Sequence, residues 1–287
     1  MREPPSSPSL VVGIDGSRSA LDAALWAVDE AASRDIPLRL VYAIDPKACV
    51  GADTEDRARH LAAAEVALRY AFIVVESTNK PVKIEAEILQ GRPTHVLLEL
   101  SQHAAAMLCL GSVGLGHSRG DPIGSTAAAL ASAAHCPVTV VRGHDPARNG
   151  WVVAEIGQSP TTDGVLRHAF DEARLRRAAL RVVTTWQSLY VDIHDNHAAA
   201  DRKMLAKTRL DRYLAKWERS YPDVEMHAVA VHGNTQDYLT KNGDSIQLLV
   251  VGRERADGIR ELVGPPGYAA LHHANCSVLI CEPQTVL

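Results

Sequence analysis

The sequence predicts an α/β fold written twice: two tandem domains, each a five-stranded parallel sheet with helices on both faces. Three observations point there. Strand-length apolar runs alternate with stretches of helical period. The core-forming residues are aliphatic, with only two Phe, four Trp and seven Tyr in 287 residues. The second half repeats the order of the first. Strands separated by helices need crossover connections, which are right-handed and give parallel strands buried on both faces.

In the first half, residues 10–15 read as a buried strand, and Leu21, Leu25, Val28 and Ala32 then recur at helical spacing. A strand over 38–43 follows, then a helix over 55–75 and a strand over 82–89. Pro93 opens a helix running to residue 103, as proline does at a first helical position. Residues 107–110 form a strand, 125–134 a helix and 138–141 the last strand.

The second half runs through the same series. Leu10-Val11-Val12-Gly13-Ile14-Asp15-Gly16 is answered by Trp151-Val152-Val153-Ala154-Glu155-Ile156-Gly157 at an offset of 141. Ala27-Val28-Asp29-Glu30-Ala31 is answered by Ala169-Phe170-Asp171-Glu172-Ala173, and Leu40-Val41 by Val182-Val183. The halves also end alike, at Cys136-Pro137-Val138 and Cys276-Ser277-Val278. Within the second half a helix is expected over 198–220 and a strand over 224–231. So long a repeat exceeds the roughly 20 to 50 residues of solenoid units and indicates a duplicated domain. The expected boundaries are 8–142 and 151–283, joined by a turn-rich linker over 143–150.

Composition narrows the function classes. Thirty basic against 34 acidic residues give a net charge of -4, with no cationic excess to neutralise a nucleic-acid backbone. No apolar run approaches the roughly 18 residues of a membrane span, and the first eight residues carry no apolar signal core, so a cytoplasmic location is expected. The odd count of five cysteines, without a CxxC pair, fits small buried hydrophobes in a reducing compartment.

Ligands of such sheets bind beyond the carboxyl ends of the strands, where strand order reverses. The stretch with the right chemistry runs from Gly111 to Thr126, leaving a strand, carrying five glycines and entering a helix near Ser125. Glycines let backbone N–H groups turn toward a ligand, and a helix start adds unpaired N–H groups with partial positive charge. Phosphate is the natural occupant. The pattern is neither a Walker loop, since no lysine follows Gly124, nor a dinucleotide fingerprint.

These residues resemble the universal stress proteins. The ATP-binding branch of that family carries G-x2-G-x9-G-[ST], which Gly111, Gly114, Gly124 and Ser125 fit. Val12-Gly13-Ile14-Asp15-Gly16-Ser17 and Cys136-Pro137-Val138-Thr139-Val140 match its first and last strands. The resemblance spans the chain as a tandem pair, a layout of mycobacteria and related actinobacteria, and implies a Rossmann-like fold of the adenine-nucleotide hydrolase type. It further implies that Gly13, Ile14 and Asp15 lie against adenine and ribose and that the backbone of Ala43 meets the adenine edge. Gly111, Ser112, Val113, Gly114, Leu115, Gly116 and His117 would wrap ribose and phosphates. Gly124, Ser125 and Thr126 would complete the site at the helix start. His117 and Arg119 are candidates for balancing phosphate charge.

The second copy reads as degenerate. Arg255 stands where Gly114 stood, and Pro265 and Pro266, which have no backbone N–H, replace Ser125 and Thr126. Ile156 aligns with Asp15, although a one-residue shift would place Glu155 there instead. One ATP site per chain is therefore expected, in the first half, with Mg2+ as a companion of the triphosphate. The second half would then serve as a covalently attached partner in an intramolecular pseudo-dimer, or the chain would pair as a homodimer.

The favoured reading is a nucleotide-dependent regulator of stress or dormancy whose protein partner the sequence does not name. The alternatives are a slow ATPase or phosphotransferase using Asp15 or His117, and a cyclic AMP-binding module. Lack of a lysine clamp and of an evident base weighs against enzymatic turnover. His194-Asp195-Asn196-His197 and His272-His273 read as chance spacing and as capping or packing. No metal site is expected.

Overall fold

A computed structural model describes residues 8–46, 54–115, 123–143, 150–157, 161–187, 196–253 and 276–281. The chain divides into two compact units, Met1–Pro146 and Ala147–Leu287.

The first unit runs β1 (Ser9–Gly13), α1 (Arg18–Arg34), β2 (Leu38–Ile44), α2 (Thr54–Glu76), β3 (Ile84–Gln90), α3 (Pro93–His103), β4 (Ala105–Gly111), α4 (Ser125–Ala133) and β5 (Val138–Val141). Its strands lie in the order β3-β2-β1-β4-β5, every described pairing being parallel. Helix α1 packs against α2, and α3 against α4. Right-handed crossovers put these pairs on opposite faces. Between the faces lie fully buried Leu10, Val11, Leu38, Leu40, Leu108, Val138 and Val140. Each such side chain contributes about 1.5–3 kcal/mol relative to an exposed one.

The second unit runs β6 (Trp151–Glu155), α5 (Thr162–Arg176), β7 (Leu180–Trp186), α6 (Asn196–Ser220), β8 (Met226–His232), α7 (Thr235–Asn242), β9 (Ile246–Gly252) and β10 (Ser277–Cys281), with a 3-10 turn at Gly243–Ser245. Its order, β8-β7-β6-β9-β10, repeats that of the first unit, again with parallel pairings. The doubling extends to details. Buried Glu30 accepts from Arg34 one turn on at 3.1–3.2 Å, and buried Glu172 accepts from Arg176 likewise. Helices α1 and α5 both stop at a left-handed residue, Asp35 (φ 51°) and Arg177 (φ 50°).

Five boundaries move by two residues from the sequence expectation: β4 starts at Ala105 rather than 107 and α6 at Asn196 rather than 198, and the other three have a local reason. Strand β1 stops at Gly13, two residues early, because Asp15 Oδ1 accepts the Ser17 N–H at 2.9 Å and turns the chain, with Gly16 at φ 86°. Strand β3 starts at Ile84, since the Val82 N–H is drawn into a turn with the Lys80 carbonyl. Strand β8 starts at Met226, since Val224 N–H bonds back to Tyr221.

Pairing also corrects the alignment of the two halves. Leu10 pairs with Leu38 and Val152 with Leu180, while Ile14 N–H bonds Val41 and Ile156 N–H bonds Val183. Ile156 therefore answers Ile14, and the residue answering Asp15 is Gly157. Glu155 answers Gly13. The opening strands are offset by 142 residues rather than 141, as the helix match at Ala27 and Ala169 already was.

Candidate functional site

In the first unit the chain runs outward from β1 to β2 and β3, then returns to β4 on the other side. The reversal lies between β1 and β4, and a crevice opens beyond their carboxyl ends. Asp15 follows β1, and the glycine stretch follows β4, so the fold brings the two main sequence candidates to one place.

Close packing there depends on glycine. A Cβ on Gly111 would lie 2.5 Å from the Ser19 carbonyl carbon, 2.6 Å from Ser19 Oγ and 2.7 Å from Ala20 N. Glycine alone lets the end of β4 reach the first turn of α1. Ser17 caps α1, accepting the Ala20 N–H at 3.1 Å. Ser19 Oγ accepts the Val113 N–H at 3.4 Å and lies 3.5 Å from the buried Ser112 hydroxyl. Asp15 spans the crevice, with Oδ1 on the Ser17 N–H at 2.9 Å and Oδ2 on the Leu115 N–H at 3.2 Å.

The far limb of the loop closes on the near one. Gly124 N–H donates to the Ser112 carbonyl at 2.6 Å, and the Cβ position of Gly124 lies 3.6 Å from Gly114 N. Gly124 is also the N-cap of α4 and supplies no side-chain cap. The first intrahelical bond runs from Ala128 N–H to the Gly124 carbonyl at 2.9 Å. The N–H groups of Ser125, Thr126 and Ala127 thus precede the helical ladder and face the loop neck, with the positive end of the helix dipole behind them.

The loop divides into two kinds of donor. The N–H groups of Ser112, Val113, Leu115 and Gly124 are taken by Val141, Ser19, Asp15 and Ser112 respectively, so these residues shape the loop. The helix-start N–H groups have no acceptor among the described residues.

Ile14 is buried and bonded into β2 through the Val41 carbonyl, and Gly13 packs beneath Leu110 and Leu97. Ala43 sits near the end of β2, half-buried and paired with Leu89. One residue before it, Tyr42 is half-buried close to Asp15; burial first, and the Asp15 charge second, push its phenol above the ordinary value. Leu115 projects into solvent with 72% of its surface exposed. Gly116, His117 and Arg119 of the first half, and Arg255, Pro265 and Pro266 of the second, lie outside the described residues. So do His194, Asp195, His272 and His273.

Sequence reasoning included Ser17 in the first-strand motif without giving it a role, and missed Ser19 and Tyr42. A signal for Ser19 existed: Thr161 stands at the matching position and presses against Gly252, the counterpart of Gly111.

The corresponding crevice of the second unit is built differently. Gly157 brings no carboxylate. Glu155 points its own carboxylate at the start of α7, accepting the Thr235 hydroxyl at 2.6 Å. Buried Arg253 occupies the Ser112 position, its N–H bonding the Cys281 carbonyl as that of Ser112 bonds Val141.

Among the described residues no helix is long and apolar enough to cross a membrane. The model of the universal stress protein family matches residues 8–142 and again 152–282. A universal stress protein of Mycobacterium tuberculosis H37Rv is 46% identical over 290 residues, covering 99% of both chains. A second from the same organism is 45% identical over 276 residues, covering 94% of this chain and 97% of the relative. The crystal structure of a universal stress protein from Archaeoglobus fulgidus superposes with a TM-score of 0.71 at 13% identity, covering 96% of each chain, a likeness of fold. The chain belongs to the universal stress protein family and carries two tandem copies of its domain.

Proposed function

We propose that the chain is a cytoplasmic, ATP-binding regulatory protein of stress adaptation, with one nucleotide site in its first domain (8–142) and a degenerate site in its second (151–283). The observation that carries this reading is the uncapped start of α4. Its three ladder-free N–H groups face a loop neck closed by Gly124 and Ser112, beside the β1–β4 reversal. Such a helix start attracts a polyphosphate without needing a lysine. Ala43 and Tyr42, at the end of β2, flank the side where the nucleoside would lie.

Regulation rather than turnover fits the residues. Asp15 is engaged by two backbone N–H groups and is poorly placed as a base. Equilibrium binding of ATP, ADP and cyclic AMP to the purified chain, followed over hours by phosphate release, tests this directly. Saturable ATP binding without regular turnover supports the reading. Tighter binding of cyclic AMP, or steady hydrolysis, replaces it with one of the alternatives, and no binding of any adenine nucleotide overturns it.

A further inference from the structure

Helix α2 is apolar on two sides. It packs on β2, β3 and α1, and Ala64, Leu68, Ala71 and Val75 are its buried residues. Val66, Tyr70 and Ile73 each follow one of these by two positions, about 200° round the helix. They point away from the core, with 69%, 59% and 54% of their surfaces exposed. Exposed Ala62 extends the row by one turn. The outer side of a surface helix is ordinarily polar, and a row of large apolar residues there marks a contact surface.

The second unit shows that the fold does not require this row. Helix α6 answers α2 at an offset of 142, the offset shared by the strands on either side: Leu38 pairs with Ile84 as Leu180 pairs with Met226. Buried Leu210 answers buried Leu68. On the outer side Thr208, Arg212 and Ala215 stand in place of Val66, Tyr70 and Ile73. The charges beside the row differ too. In α6, Lys207 Nζ lies 2.8 Å from Asp211 Oδ2, so the pair closes within the helix. The same positions of α2 hold Glu65 and Arg69, with the signs reversed, and among the described residues neither makes an ion pair.

We propose that the outer face of α2 is a self-association surface, which pairs antiparallel with α2 of a second copy of this chain. The charge pattern selects this occupant. Across a two-fold axis, if one residue meets another then the second meets the first. In an antiparallel pair centred near residue 67, Glu65 of each copy faces Arg69 of the other. The same register sets Val66 against Tyr70 and Ala62 against Ile73, so the apolar row and the charged flank agree on one alignment. A parallel pair would set each charge beside its own kind. The row is only about 16 Å long. One helix pair of that length buries less than the roughly 1,600 Å2 of a standard interface, so the association is weak and concentration-dependent.

Sedimentation velocity of the full chain, from low micromolar to near-millimolar concentration, reads the association. Glu65→Arg and Arg69→Glu lie at exposed positions and should leave circular dichroism unchanged. Each sets like charges across the axis and should weaken association about tenfold or more. Mixed one to one, the two variants should regain the parental strength as a heterodimer, because one carries only positive and the other only negative charge on this flank. Tyr70→Ala should weaken association about fivefold or more through lost apolar contact alone. A parent that stays monomeric throughout, charge variants that associate as the parent does, a mixture no stronger than its components, or a Tyr70→Ala chain that associates normally would each overturn the proposal.

Discussion

The Glu155 carboxylate accepts a hydrogen bond from the Thr235 hydroxyl at 2.6 Å, joining the end of β6 to the first residue of α7. Gly13 and Pro93 hold the matching positions in the first unit, and neither has a polar side chain. The second crevice thus carries a negative charge where the first has none. Replacing Thr235, which is buried, by valine keeps its shape and removes the donor. Urea unfolding of Thr235→Val should show a loss of about 1–2 kcal/mol. An unchanged midpoint would mean that the bond adds nothing to stability.

Gly111 and Gly252 perform the same close approach in the two units. A Cβ on Gly111 would collide with Ser19 and Ala20, and one on Gly252 with Thr161. Alanine at either position should cost about 1–3 kcal/mol, as overpacking does. Gly157→Ala is the control, because among the described residues nothing lies within 4 Å of its Cβ position. Thermal melts should leave that variant within about 0.5 kcal/mol of the parent. A Gly111→Ala protein as stable as the control would show that α1 can give way.

Element order was readable because aliphatic runs and helical spacing are local signals, and the tandem repeat doubled each of them. The glycine spacing was readable for the same reason, whereas the turn at Asp15 was read as the end of a strand. What local pattern did not show was long-range contact. Ser19 meets Gly111 and Val113 only after β4 has returned beside β1, some 90 residues later in the chain. The counterpart of Asp15 was misplaced because Ile156 and Glu155 look like plausible strand-end residues, and only hydrogen-bonded register distinguishes a 141-residue offset from one of 142. A division of labour inside the loop, some N–H groups bonded to the protein and others not, also has no sequence signature.

Tyr213 on α6 donates to Asp163 at the start of α5 at 2.5 Å, and Lys216 approaches the same carboxylate at 3.1 Å. Burial, then the Asp163 hydrogen bond, push the Tyr213 phenol well above its ordinary value. The folded state therefore holds this proton more tightly than the unfolded chain. The resulting stability is fully present below about pH 10, the unfolded value, and is lost as pH rises toward the folded one. Urea midpoints measured between about pH 9 and 11 should fall in the parent and fall less steeply in Tyr213→Phe. Equal slopes would remove Tyr213 from the alkaline transition. The same substitution should raise the acid midpoint of Asp163, whose carboxyl is held low chiefly by this bond.

Ser125 is the first residue of α4, where proline is compatible with helix geometry but brings no N–H. Ser125→Pro copies the second unit's Pro265 and should leave circular dichroism and stability nearly unchanged. ATP affinity should fall about tenfold or more, the worth of one hydrogen bond to a charged group. Full affinity in a folded Ser125→Pro protein would move the phosphates away from the start of α4.

The most direct measurement is the stoichiometry of ATP binding by calorimetric titration of the full chain, repeated after Gly114→Arg. One ATP per chain, abolished by Gly114→Arg in a protein that still folds, is the predicted result. Two sites of similar affinity, or one site that survives Gly114→Arg, would contradict a single nucleotide site in the first domain.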